Sequence, residues 1–185
     1  EVIKLGTIWG RWATIKGRRV FIKADMVHDG VNPKILKSIN EILDYAPKSF
    51  RKEVQSLEIY KGKGPLVPNL PELADKHAAG AFTSYKNMKK TLINPTMRIW
   101  QDGTKNFRNA FDVIHHEMAH AFWARWSHLK SFRPFKVATR AEDGATFYAR
   151  TWGRHVNSLT SPSDRHKALE NFYSENFADL NMIYR

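Results

Sequence analysis

The sequence predicts an α+β fold: a small mixed sheet whose edge strand packs on one long helix, followed by a mainly helical C-terminal half. Three observations predict it. Short aromatic and β-branched runs punctuated by Gly and Pro are spread over residues 1–100. A helical period with one apolar and one polar face covers about residues 109–126. Beyond it, the stretch 138–150 and a capped segment opening at Ser161-Pro162 read as further helices.

The elements follow in order. Residues 1–30 are expected to form a β-hairpin appendage, with a domain over residues 31–185. The runs Ile8-Trp9-Gly10-Arg11-Trp12-Ala13-Thr14-Ile15 and Arg18-Arg19-Val20-Phe21-Ile22 flank the turn Lys16-Gly17. Asn32-Pro33 sets an N-cap and a first-turn proline, and Ile35, Leu36, Ile39, Ile42 and Leu43 continue at helical spacing to Pro47. A short basic helix is expected around residues 49–54. Leu57-Glu58-Ile59-Tyr60 alternates as a strand. Residues 61–71, with two Gly and three Pro, read as loop, and residues 71–77 as one or two helical turns. Gly80-Ala81-Phe82-Thr83 and Thr91-Leu92-Ile93 read as strands joined by a Lys-rich turn, with Arg98-Ile99-Trp100 extending the sheet. Residues 127–137 read as loop, with Pro134 as a stop.

The 185 residues suffice for one domain of ordinary size. Apolar residues make up 42% and charged residues 26%, which argues against disorder. No window approaches the roughly 18 apolar residues of a membrane-spanning helix. The start, Glu1-Val2-Ile3-Lys4, has no initiator Met, which suggests a segment trimmed or cut from a longer chain. Cysteine is absent, excluding disulfides, a thiol nucleophile and thiolate metal sites. Any metal must be held by His and carboxylate.

Net charge is +12, and residues 1–100 hold 18 Lys/Arg against 9 Asp/Glu. Such an excess suits an acidic partner such as nucleic acid, an anionic polymer or a membrane surface; solubility alone explains it equally well.

The chemistry resides in His116-Glu117-Met118-Ala119-His120, an H-E-x-x-H motif. Residues i and i+4 lie about 40° apart around a helix, so both imidazoles can share one metal. Glu117 lies about 100° from His116, beside the metal, where it can hold and deprotonate a metal-bound water. Phe111, Ile114, Met118, Ala121 and Phe122 form the opposite, core-facing stripe. His115 points elsewhere and is expected to pack or support rather than ligate. A catalytic zinc takes three protein ligands and one open position. No third His follows at metzincin spacing, so the third ligand should be a carboxylate on a later helix. The candidates are Glu142 and Glu175. Glu175 is favoured because Asp179 follows one helical turn later, placed to accept a hydrogen bond from a ligand histidine. Phe177, Leu180 and Tyr184 supply an apolar side to that helix.

Residues 116–120 followed by Glu175-Asn176-Phe177-Ala178-Asp179 resemble the gluzincin metallopeptidases. The closer likeness is to the group of the anthrax lethal factor catalytic domain and the Pro-Pro endopeptidases. That group has H-E-x-x-H, then Tyr-Ala/Gly-x-Thr, then Glu-x-Phe-Ala-Glu. Tyr148-Ala149-Arg150-Thr151 is similar to the middle segment, and Gly80-Ala81-Phe82 leading to Thr91-Leu92-Ile93 resembles the family hairpin that enters an edge strand. Trp12-Ala13-Thr14-Ile15 is similar to a Trp-x-Thr-Ile segment of phage-encoded domains. The departures are Asp179 in place of the final Glu and a longer interval between Tyr148 and Glu175, which makes Tyr173 the fallback for Tyr148.

The resemblance implies a zincin-like domain and a Zn2+-dependent endopeptidase acting on protein or peptide. His116, His120 and Glu175 would hold the metal, Asp179 would support a ligand, Glu117 would be the general base, and the Tyr148 hydroxyl would stabilise the oxyanion. Substrate would lie extended along an edge strand near residues 91–93. A core or rim aromatic is the plain alternative for Tyr148. Three rival readings stand beside this one: a SprT-like protease on DNA-bound proteins, using Trp9, Arg11, Trp12, Lys16, Arg18 and Arg19; a phage virion or assembly protein with a structural zinc; and an excised effector or toxin domain. A secreted or virion-associated setting is expected over a membrane one.

Overall fold

The computed structural model describes residues 3–5, 8–15, 18–23, 41, 45–51, 53–54, 56–60, 62–67, 70–86, 92–100, 102 and 107–183. Among the described residues, six strands form one mixed sheet: β1 (Ile3–Leu5), β2 (Ile8–Ile15), β3 (Arg18–Lys23), β4 (Ser56–Tyr60), β5 (Gly80–Lys86) and β6 (Leu92–Trp100), in the order β1-β2-β3-β4-β6-β5. Among the described residues, the α-helices with full ranges are α1 (Lys48–Arg51), α2 (Phe107–Trp126), α3 (Arg133–Ala138), α4 (Phe147–Ser158) and α5 (Pro162–Ile183). The architecture is α+β, with the helical half following the sheet, as the sequence predicts.

The expected hairpin is β2–β3, in antiparallel register from Gly10↔Lys23 to Ile15↔Arg18. It is hydrogen-bonded into the main sheet: β3 pairs in parallel with β4, Val20 opposite Leu57 and Ile22 opposite Ile59. The helix expected from Asn32 to Pro47 falls largely outside the described residues, as does Tyr184.

Strand β6 lies between β4 and β5, so Gly80–Lys86 is one outer strand of the sheet and β1 the other. Of the edge expected near residues 91–93, residue 91 lies outside the described residues, and residues 92–93 pair with β5 alone; the outer strand of the sheet at this end is β5. Pro95 sits where the β5–β6 register shifts, just before pairing with β4 begins at Thr96. An irregular ladder tolerates its missing N–H.

Leu57 and Ile59 of β4 and Met97 and Ile99 of β6 face the same way and pack on Ala110, Ile114, Met118 and Ala121 of α2, all nearly inaccessible. The helical period of α2 thus meets the strand period of two across one apolar layer. His115 is buried with its ring 4.4 Å from Phe111, a packing histidine as expected. A second core joins Leu70 and Leu73 to Trp152 and Val156 of α4 and to Ala168 and Phe172 of α5.

The stretch expected as loop after Trp126 is partly helical. Pro134 occupies the first turn of α3, where a missing N–H costs nothing, and so starts a helix instead of stopping one. This arm carries Phe132 and Phe135 to Phe177 at ring distances of 5.7 and 5.8 Å, with Trp123 at 5.2 Å. Phe177 thereby fastens α5 against α2. Ser161 caps α5 through a contact from the Asp164 N–H to its Oγ at 3.4 Å.

Candidate metal centre

Helices α2 and α5 run antiparallel through the site. His116 of α2 meets Asp179, and His120, one turn on, meets Glu175, one turn back along α5. The groove between them brings three ligand atoms together. His116 Nε2 lies 2.9 Å from His120 Nε2, and Glu175 Oε2 is 3.2 and 3.3 Å from these two nitrogens. Ligand atoms about 2.05 Å from a tetrahedral zinc stand about 3.3 Å apart, so the triangle has the right size for one such ion.

The chemistry of the donors agrees with the distances. Asp179 Oδ1 accepts from His116 Nδ1 at 3.0 Å, which leaves the lone pair of a neutral His116 on Nε2. His120 Nδ1 lies 2.8 Å from Ser174 Oγ, so its Nε2 also faces inward. Two inward nitrogens and a partly buried carboxylate oxygen make a group that could hold a cation. Without one, His116 is held well above the usual imidazole range. Burial alone would lower it, but the Asp179, Glu175 and Glu117 carboxylates outweigh burial. Burial would raise Glu175, but His120 and His116 hold it far below the usual carboxylate range.

The supports extend outward. Thr146 Oγ1 donates to the other oxygen of Asp179 and caps α4 by accepting from the Ala149 N–H at 3.2 Å. Asn176, buried, accepts from the Ala145 N–H at 2.7 Å. One set of bonds therefore ties the start of α4 to the ligand helix. Thr146, Ser174 and Asn176 are missed by sequence reasoning, because only the packing of α4 and α2 on α5 gives them partners. Asp179→Ala should weaken zinc binding about 10–100-fold in a chelator competition while the fold persists by circular dichroism. Unchanged affinity would reduce Asp179 to packing.

Glu117 is buried beside the ligands. Burial raises its pKa first; His120 and His116 oppose this, and the Phe82 backbone N–H stabilises the anion. It is thus a carboxylate shifted toward proton acceptance and aimed from the same helix turn. Strand β5 reaches it only because residue 80 is Gly: a Cβ there would stand 2.8 Å from Glu117 Cγ and 2.6 Å from Val113 Cγ1. Gly80→Ala should shift the Glu117 side chain and lower kcat roughly 10–100-fold with zinc content unchanged. Wild-type turnover would show that β5 does not constrain Glu117.

Tyr148 projects from the first turn of α4 into the same cavity, of about 740 Å³, with His116, Glu117, His120 and Glu175. Burial, then Glu175, Glu117 and Asp179, raise its pKa, while Trp152 opposes them, so the phenol stays an O–H donor. Tyr173 does not line this cavity; it packs beside Phe172 and under Lys136. Glu142 is also elsewhere, exposed and 3.7 Å from Arg140. Of the six residues of the basic aromatic hairpin, only the side chain of Trp12 is among those described, and it is half-buried.

No family model matches the chain, and no curated protein or solved structure matches it significantly. None of the described helices is long and apolar enough to cross a membrane. Among the described residues, His116, His120 and Glu175 form the group of potential metal ligands.

Proposed function

We propose that this chain is a zinc-dependent endopeptidase of gluzincin type on a zincin-like fold. One observation carries the reading: the convergence of His116 Nε2, His120 Nε2 and Glu175 Oε2 at 2.9–3.3 Å beside buried Glu117, at the wall of an open cavity. An edge strand held against the motif helix by Gly80 supports the fold assignment.

His116, His120 and Glu175 would hold the metal. A bound zinc supplies Lewis acidity, polarising a carbonyl and making water acidic enough to lose a proton near neutral pH. The chain's residues do the rest. Asp179 and Thr146 fix the His116 ring, and Ser174 fixes His120. Glu117 takes the proton of the attacking water and passes it to the leaving amine. Its burial makes proton uptake easier than for a solvated carboxylate, and the Phe82 N–H orients it. The Tyr148 O–H donates to the carbonyl oxygen as charge builds there. A purely structural zinc site has no use for a buried base at position 117, which favours the catalytic reading.

The test is a zinc-loaded digest of a proteome-derived peptide library, with new termini read by mass spectrometry and Glu117→Ala as control. Cleavage in the wild type alone is expected. No cleavage by a zinc-occupied protein would overturn a general peptidase and bring the nucleic-acid-associated and assembly readings forward. Tyr148→Phe should lower kcat about 10–100-fold, with zinc content unchanged. Full activity would return Tyr148 to a packing role.

A further inference from the structure

The cavity has a wall that the chemistry above does not use. Residues 62–67 and 70–79 form a strap that runs from the sheet to the helical half and back. Its two arms pair with each other: Val67 N–H donates to Lys76 O at 3.1 Å, Ala78 N–H to Pro65 O at 2.9 Å, and Leu66 bridges His77. His77 Nδ1 also lies 2.6 Å from Gly64 O. The arms lie so close that a Cβ on Gly64 would stand 2.1 Å from Ala78 O. At the far end Leu70 and Leu73 are buried in the second core, and Glu72 takes two bonds from Arg154 of α4, one of them 3.1 Å from Nε.

These contacts fix the described residues of the strap in place against the sheet and the helical half. Its first arm presents apolar side chains; the second adds His77 and Lys76, whose ammonium is paired with Asp75 at 3.1 Å. Pro65, Leu66 and Val67 line the same cavity as His116, His120 and Glu175, and Leu66 is 51% exposed. The groove floor beneath has a fixed direction: Asp112 and Met182 lie at one end and Ala124 and Asn171 at the other, with His116, His120 and Glu175 between. An apolar side chain held at one side of a cleft, with its backbone fixed, gains contact from an apolar ligand group and rejects a charged one by desolvation.

Resting on the endopeptidase reading, we propose that residues 65–67 are the specificity wall of the cleft and that Leu66 selects an apolar substrate side chain beside the scissile bond. A hydrophobic contact of this size discriminates by about tenfold or more.

The experiment measures binding and cleavage separately. Labelled octapeptide pools with Leu, Asn or Glu fixed at each position in turn are titrated into zinc-loaded Glu117→Ala protein. At one position the Leu pool should bind about tenfold more tightly than the Glu pool. Leu66→Ala, added to the same background, should erase that preference with zinc occupancy unchanged. Leu129→Ala, at an exposed leucine outside the cavity, should preserve it. Absence of an apolar preference at every position, or its survival in the Leu66→Ala protein, would overturn the proposal. If the Leu66-dependent preference is present and the protein with intact Glu117 cleaves no pool, the wall stands and the peptidase reading falls. If the pools are cleaved without preference, the reverse holds.

Discussion

Glu117→Ala is expected to bind zinc at full stoichiometry and to lose about 10²–10⁴-fold in kcat. The carboxylate is not among the converging ligand atoms, which come from His116, His120 and Glu175. Its removal therefore leaves the metal cradle, and the Asp179 and Ser174 contacts that orient the rings, intact. What disappears is the one buried carboxylate at the ligands whose environment raises its pKa and so favours taking a proton. Zinc content by mass spectrometry under native conditions and peptide turnover are the two readouts. Retained turnover would remove Glu117 as the base. Lost zinc would mean that the side chain supports the metal.

Glu175→Ala is expected to weaken zinc binding by more than about 100-fold, beyond the loss expected for an orienting residue such as Asp179. The substitution leaves two imidazoles 2.9 Å apart and no anionic oxygen to complete the triangle. It also removes the carboxylate that His120 and His116 hold far below its usual range, so the charge that favours a dication is lost. Glu142→Ala, on an exposed turn paired with Arg140, is the matched control and should bind zinc normally. Unchanged affinity in the first variant with loss in the second would move the third ligand to Glu142.

The two cases differ in how far the sequence alone could carry them. The pair His116 and His120 is legible because i,i+4 spacing is a local property: one helix places both rings, whatever packs around it. The core face of α2 is legible for the same reason, and Ile114, Met118 and Ala121 are indeed inaccessible. Glu142 and Glu175 are both plausible carboxylates on a linear reading. The choice between them depends on which helix lies antiparallel to α2, and the ring cluster around Phe177 sets that. The arm carrying Phe132 and Phe135 was hidden because Pro134 reads equally well as the end of one element or the first turn of another. That β5 is the outer strand beside Glu117 was hidden because two neighbouring apolar runs have the same alternation, and nothing local says which one lies outermost.

By itself the sequence determined the α+β class, the metal-type motif helix with its buried and polar faces, and the capped last helix bearing Glu175 and Asp179. These are encoded in spacing along a single element. The tertiary structure alone decided that β5 is the outer strand against Glu117, that Thr146 and Ser174 brace the His116, His120 and Glu175 group, and that residues 65–67 and 76–79 line the cavity. Each of these depends on contacts between residues far apart in the chain, whose backbone polar groups and apolar surfaces find partners only once the sheet and helices pack.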